Sequence, residues 1–257
     1  MPTNLSAPTR LLDRLAGAGL AGVAETYARL AAPIGAIAFA LYILLTALTA
    51  WIMPDANWDM LPYLSIAEEG VYPQPQALHD YAYGTVKAGV SASDYKRLTD
   101  DAGGFRSHMA QDAGDFHSLL GMYRIKFLYA EILSGLSRVM SPIEAMRLVQ
   151  VFSVLLLGAA TLLWLRSQGA LALAPLAGAV LIMADFGDAA RAATPDLLCS
   201  AVLLAGLYAY MRGRQVATAL LLFLAFMVRP DNIVFLAVFA VLLVAFRQKA
   251  WGALVGF

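Results

Sequence analysis

Ala31-Ala-Pro-Ile-Gly-Ala-Ile-Ala-Phe-Ala40-Leu-Tyr-Ile-Leu-Leu45-Thr-Ala-Leu-Thr-Ala50-Trp-Ile-Met53 is a run without a single charged residue. As a helix it is long enough to cross the roughly 30 Å of hydrocarbon in a bilayer. Trp51 falls at its far end, where an amphipathic ring favours the membrane–water boundary. The run is too long for the apolar stretch of a cleavable signal peptide and lacks a convincing cleavage site. Arg10, Arg14 and Arg29 precede it. By the positive-inside tendency the amino terminus is then cytoplasmic, and Asp55 and the loop beyond it emerge outside.

The rest of the chain agrees with a membrane setting. Of its 257 residues 60% are hydrophobic and 14% charged, too few charges to cover a soluble domain of this length. The formal net charge of zero gives no ground for a nucleic-acid partner. Cys199 is the sole cysteine, so no disulfide forms within the chain, and its apolar setting predicts a small buried side chain. Further apolar runs occupy 148–165, 170–184, 197–211, 216–228 and 233–246. The connections Arg166-Ser-Gln-Gly, Arg212-Gly-Arg214 and Arg247-Gln-Lys249 are purely basic, whereas 185–196 and Arg229-Pro-Asp231 carry the acids. The two sets alternate as inside and outside. The segment Met122 to Met140 is also apolar, but it holds Arg124, Lys126, Glu131 and Arg138, each costly at mid-bilayer. Counting it as a span would put every basic loop outside, so it reads as an amphipathic helix lying on the outer membrane face.

The expected fold is therefore an all-α polytopic membrane protein with six transmembrane helices and a large helical first outer loop. Residues 1–30 form a cytoplasmic segment, either a surface helix over Leu11 to Leu30 or a solubilising tail. Residues 31–53 are the first transmembrane helix, and 54–145 the outer loop with its juxtamembrane helices. Residues 146–257 form a helix bundle. A seventh span starts at Ala250, and the end at Phe257 inside an apolar run suggests the first part of a longer protein. The alanine-rich composition suits a bacterial inner membrane.

From Pro54 to about Gly121 the loop holds ten acidic residues against four basic ones, with frequent aromatics. That composition suits the outer side and argues against disorder. Pro62 fits the first turn of a helix, with Asp59 upstream as a candidate cap. Tyr63, Ile66 and Ala67 would share one face. Gly70 ends the helix, and Tyr72-Pro73-Gln-Pro75 runs extended.

An aspartate just after the first span, followed by Tyr63-x-x-Ile66-Ala67, resembles the GT-C glycosyltransferases that use polyprenyl-phosphate sugars. Ala190-Arg191-Ala-Ala-Thr-Pro195-Asp196 and Val228-Arg229-Pro230-Asp231-Asn232 are similar to the Arg-x-x-x-Pro-Asp and Arg-Pro-Asp-Asn punctuation between spans in that superfamily. Tyr123-Arg124-Ile-Lys126-Phe127 resembles its juxtamembrane segment, with Phe127 where proline is usual. The resemblance implies a sugar transferase acting on the periplasmic or external side. Its first-loop aspartate, the base or acceptor-orienting group, maps onto Asp59, with Asp55 second. The family often sets two acidic residues side by side, whereas three residues separate these.

The chemistry needs a carboxylate to take the acceptor's proton and cations to hold the lipid phosphate. Arg124, Lys126, Arg191, Arg147 and Arg229 are the phosphate candidates, Arg147 being the weaker by position. Snorkelling to ordinary lipid headgroups, and ion pairs clamping helix ends, are the plainer readings of the same cations. His79, His108 and His117, with Asp80, Asp112 and Asp115, could make a divalent-metal site but match no recognised ligand spacing, so the expectation is no cofactor, with a divalent metal as the alternative. The expected partners are a polyprenyl-phosphate-linked sugar and membrane lipid. Two other classes fit the composition: a transporter or flippase for a lipid-linked or small polar substrate, and a non-catalytic membrane subunit that docks through its acidic loop.

Overall fold

A computed structural model describes the backbone of residues 7–246 and the side chains of residues 30–246. Every regular element among them is helical, and the only β-type pairing is an isolated bridge between Asp55 and Ala192. The seventh span expected at Ala250, and the basic connection Arg247-Gln-Lys249, lie outside the described residues.

Helix α1 covers Ala7–Ile52, so the expected amino-terminal helix and the first apolar run are one continuous helix. After it a chain of shorter helices builds a cap: α2 (Met60–Glu68), α3 (Pro75–Gly89), α4 (Ala92–Thr99), α5 (Phe105–Gln111), α6 (Ala113–Leu119), α7 (Gly121–Arg124) and α8 (Phe127–Ser137). Then come α9 (Pro142–Ser167), α10 (Ala174–Met183), α11 (Phe186–Arg191), α12 (Asp196–Met211), α13 (Gln215–Val228) and α14 (Ile233–Ala245). Single 3-10 turns at Leu171–Leu173 and Pro230–Asn232 lead into α10 and α14.

Among the described residues two helices are long and apolar enough to cross a membrane, Leu30–Ile52 and Pro142–Ser167. The runs expected as four further spans form helices of 10, 16, 14 and 13 residues. At about 1.5 Å per residue none of these alone reaches the roughly 30 Å of a hydrocarbon core. Their ends are cut by Asp185 in a left-handed conformation, by Pro195, by Gly213 at positive φ and by Pro230. The six-span count therefore exceeds what helix length supports.

The apolar helices pack through small residues. Gly158 of α9 lies so close to α1 that an added Cβ would stand 2.6 Å from a methyl of Ile43. Gly35 sits against the Leu171 carbonyl, and Gly206 joins α12 to Leu222 of α13. Around this contact Phe39, Ile43, Ala47, Val154, Leu157, Phe186 and Ala201 form one buried cluster. The outward faces remain apolar: Ile34, Ile37, Leu41 and Leu48 on α1 and Val234, Val238 and Val241 on α14 are exposed. An apolar surface this extensive marks contact with something other than water.

The cap has its own core of Leu61, Tyr63, Leu64, Leu78, Val86, Leu98, Phe116, Tyr129 and Leu133, continuous with Met146 of α9 and Val228 of α13. Helix α2 begins and ends as Pro62 and Gly70 predict, and Pro75 opens α3 after an extended Gln74. The segment Met122 to Met140 is not one helix. It breaks at Lys126, whose backbone (φ −90°, ψ 52°) leaves the helical region.

The connections sort to opposite ends. Arg191 and Ala192 meet Met53 and Asp55, and Arg229 meets Asp196, so the acid-bearing connections gather under the cap. Since α9 starts at the cap and α12 and α13 form an antiparallel pair, the basic connections 166–169 and 212–214 lie at the far end.

Candidate functional site

Two neighbourhoods under the cap hold the charged residues that the sequence marks as candidates. The first centres on Asp59. Its backbone leads into α2 with helical dihedrals and its carboxylate makes no capping bond. Instead Asp59 Oδ1 accepts a hydrogen bond from Tyr123 Oη at 2.8 Å. Lys126 Nζ donates to Tyr63 Oη at 2.8 Å and lies 4.8 Å and 5.2 Å from the ring centres of Tyr123 and Tyr63. Tyr63 in turn stands edge-on to Tyr123 and Tyr129. Burial, reinforced by the Asp59 charge, pushes the Tyr63 and Tyr123 phenols well above the usual range, which keeps them as donors. Burial and then the nearby Arg229 guanidinium lower the Lys126 ammonium, with Asp59 and Asp231 working the other way.

The break at Lys126 separates two cations expected to act together. Lys126 turns in beneath the cap, while Arg124 forks onto Glu69, with Nε at 2.9 Å from Oε2 and Nη2 at 2.5 Å from Oε1. The Arg124 guanidinium holds the Glu69 carboxyl below its usual range. Arg229 is likewise committed: it pairs with Asp196 and forks onto Asp231 at 2.6 Å and 3.1 Å. The helix-end ion pairs considered from the sequence are thus present in the geometry.

The second neighbourhood is a cavity of about 260 Å³ beside Asp55, where α1 and α9 meet the cap. Asp55, Asp94, Arg147, Gln150 and Arg191 are among its lining residues. Asp55 and Asp94 both reach Arg97, at 3.5 Å and 2.9 Å. Arg191 is fixed by its Nε donating to the Met53 carbonyl at 2.6 Å, with Nη1 3.6 Å from Asp188. Arg147 is different: its Nε is buried without a hydrogen-bond partner among the described residues. Asp55 and Asp59 therefore serve two adjoining sites, with Met60 lining the wall next to Asp59.

No family model, curated protein or solved structure matches the chain.

The histidines go to separate partners. His79 Nε2 lies 3.0 Å from the Met109 carbonyl, His108 Nε2 lies 2.6 Å from Asp115, and His117 stands beside Arg124. Among the described residues no group of three metal-ligating side chains forms. Cys199 is buried, as its setting predicts.

Tyr123, Gln150, Asp94 and Arg97 are site residues that sequence reasoning does not pick out. Tyr123 adjoins Arg124 in a segment noted for its cations, and only the fold brings its hydroxyl to Asp59. Gln150 sits in an apolar helix, where a buried amide is itself a signal, since such groups are expected to find partners.

Proposed function

We propose that the chain is a membrane glycosyltransferase of GT-C type, taking a sugar from a polyprenyl-phosphate donor and acting on the periplasmic or external side. The apolar helices after α9 are read as spans, six in all, with the cap outside and the amino terminus in the cytoplasm of a bacterial inner membrane. The observation that carries the reading is Asp59. Its carboxylate is oriented by Tyr123, stands next to Lys126, and lies at the cap ends of helices whose outer faces are apolar.

In this reading the acceptor hydroxyl attacks the anomeric carbon as the bond from that carbon to the phosphate oxygen breaks. Asp59 takes the hydroxyl proton, and polyprenyl phosphate leaves with the bonding electrons. A base in this role contributes about a hundredfold to ten-thousandfold. Lys126 offsets charge near the reacting groups, and Arg147 is available to phosphate, whereas Arg124, Arg191 and Arg229 already hold carboxylates.

The test is transfer from a radiolabelled polyprenyl-phosphate sugar by membranes carrying the protein. Asp59→Asn should lower the rate at least about a hundredfold with the protein still folded; wild-type transfer by that variant refutes the assignment. A transporter would carry its polar groups near the bilayer midplane on broken helices. Here the charged groups gather at helix ends under the cap, which favours the transferase.

A further inference from the structure

The two neighbourhoods under the cap meet at one buried side chain. Gln150 of α9 is 2% exposed, and its Nε2 donates to the Thr194 carbonyl at 2.7 Å. Thr194 closes a short strap, extended at Ala192, that lies alongside Asp55. The Asp55 amide donates to the Arg191 carbonyl at 3.0 Å, and the Thr194 amide donates to the Ala192 carbonyl at 2.9 Å. On its other side the Gln150 carboxamide adjoins the hydroxyl of Tyr129. Tyr129 is fully buried, its ring stands edge-on to Tyr63 at 4.9 Å, and Tyr63 receives the Lys126 ammonium. Neither Gln150 Oε1 nor Tyr129 Oη has another polar partner among the described residues. A continuous chain of contacts therefore runs from the Asp55 backbone through Ala192, Thr194, Gln150, Tyr129 and Tyr63 to Lys126.

We infer that Gln150 is a positioning residue that holds the Asp55 and Asp59 neighbourhoods in a fixed relation to one another. The chain between the two aspartates cannot do this, because Ala56 and Asn57 lie outside any regular element. The carboxamide can, because it carries a donor and an acceptor on one planar group. The donor takes the strap beside Asp55, and the acceptor is left for the phenol that packs on Tyr63. An apolar side chain of the same size would leave the Thr194 carbonyl and the Tyr129 hydroxyl buried and unmet, which is costly. A role confined to core filling would need neither partner, and one confined to helix anchoring would need only Thr194. That the fixed relation serves transfer rests on the transferase reading; the coupling of the two neighbourhoods does not.

Hydrogen exchange of the full chain in detergent tests the coupling without any substrate. Gln150→Leu should speed amide exchange by about tenfold both around Asp55 and around Lys126. Tyr129→Phe keeps the packed ring and removes only the hydroxyl, so it remains informative even where Gln150→Leu folds poorly. It should speed exchange at Lys126 and, through Gln150, at Asp55, and it should add little in the Gln150→Leu background. Loosening of one segment alone in Gln150→Leu, or additive effects of the two substitutions, overturns the coupling. In the transfer assay Gln150→Leu should lower kcat about tenfold and leave KM within about twofold, because the reacting groups are present but misplaced. Thermal unfolding measured beside it separates this from loss of folded protein. An unchanged kcat, or a rise in KM instead, overturns the positioning role. Coupled exchange in a wild type that transfers no sugar supports the coupling and refutes the transferase reading.

Discussion

Tyr123 Oη donates to Asp59 Oδ1 at 2.8 Å across 64 residues of sequence, the longest-range side-chain bond within the cap. It joins the start of α2 to the end of α7 and fixes the direction of the carboxylate. Tyr123 is 9% exposed, so this geometry is held by packing as well as by the bond.

Tyr123→Phe keeps the ring and removes the donor. A typical buried hydrogen bond contributes about 0.5–1.5 kcal/mol net, with more at stake when the acceptor is charged. The variant should lose about that much stability in denaturant unfolding. Its transfer rate should fall by less than that of Asp59→Asn, because the carboxylate survives and only its orientation relaxes. A Tyr123→Phe rate as low as that of Asp59→Asn would mean the phenol itself takes part.

The Arg124–Glu69 pair gives the cap an acid-sensitive clamp. Glu69 has a folded-state pKa below the ordinary 4.5 because Arg124 stabilises its charged form. The contribution is therefore present above the unfolded value and is lost as pH falls through the lowered one. The unfolding temperature should drop as pH falls below the ordinary carboxylate range, and Glu69→Gln should flatten part of that slope. Both partners are partly exposed, so the effect is small and weakens with salt. An identical slope in the Glu69→Gln variant would mean that the pair does not clamp the cap.

Gly158 of α9 packs directly on α1, with Ile43 side-chain atoms 2.6–3.2 Å from where a Cβ would stand. Gly158→Ala should destabilise the helix pair by about 1–3 kcal/mol through overpacking. Adding Ile43→Ala should recover part of that loss, because it opens the same contact. Thermal unfolding of the single and double variants in detergent checks this, and simple additivity of the two losses would contradict a direct contact.

The parts of this structure that are legible in the sequence are those set by local pattern. Helix α1 and helix α9 follow from long uncharged runs, and α2 follows from Pro62 and Gly70 at its ends. The lengths of the later helices are not legible, because apolar composition does not report where Asp185, Pro195 and Pro230 interrupt them. The site is legible in part. Asp55 and Asp59 stand out by their place after the first apolar helix, and both lie under the cap. Their separation into two sites is not visible in sequence, since it depends on Tyr123 and Arg97 arriving from distant elements. Arg124 and Lys126 look like one pair because they are two residues apart, and a single non-helical residue sends them different ways. Arg147, given the least weight by position, is the cation left unpaired, because pairing depends on which carboxylates the fold brings near.

Membrane topology gives the last prediction. The acid-bearing connections 185–196 and 229–231 lie at the cap end with Asp55, and the basic connections 166–169 and 212–214 lie at the other. If α10, α12, α13 and α14 cross the bilayer despite their length, the two ends face different compartments. Cys199 is the single cysteine and is buried, so Cys199→Ser provides a background in which new cysteines are the sole targets. A cysteine at Asp188, exposed at the cap end, should react with an impermeant maleimide added from outside. One at Gln168 should react only after the membrane is opened. The side-specific pattern supports a crossing by α10, the shortest of these helices, with the far end reached through local thinning of the bilayer. Labelling of both positions from the same side would contradict a crossing by α10 between them.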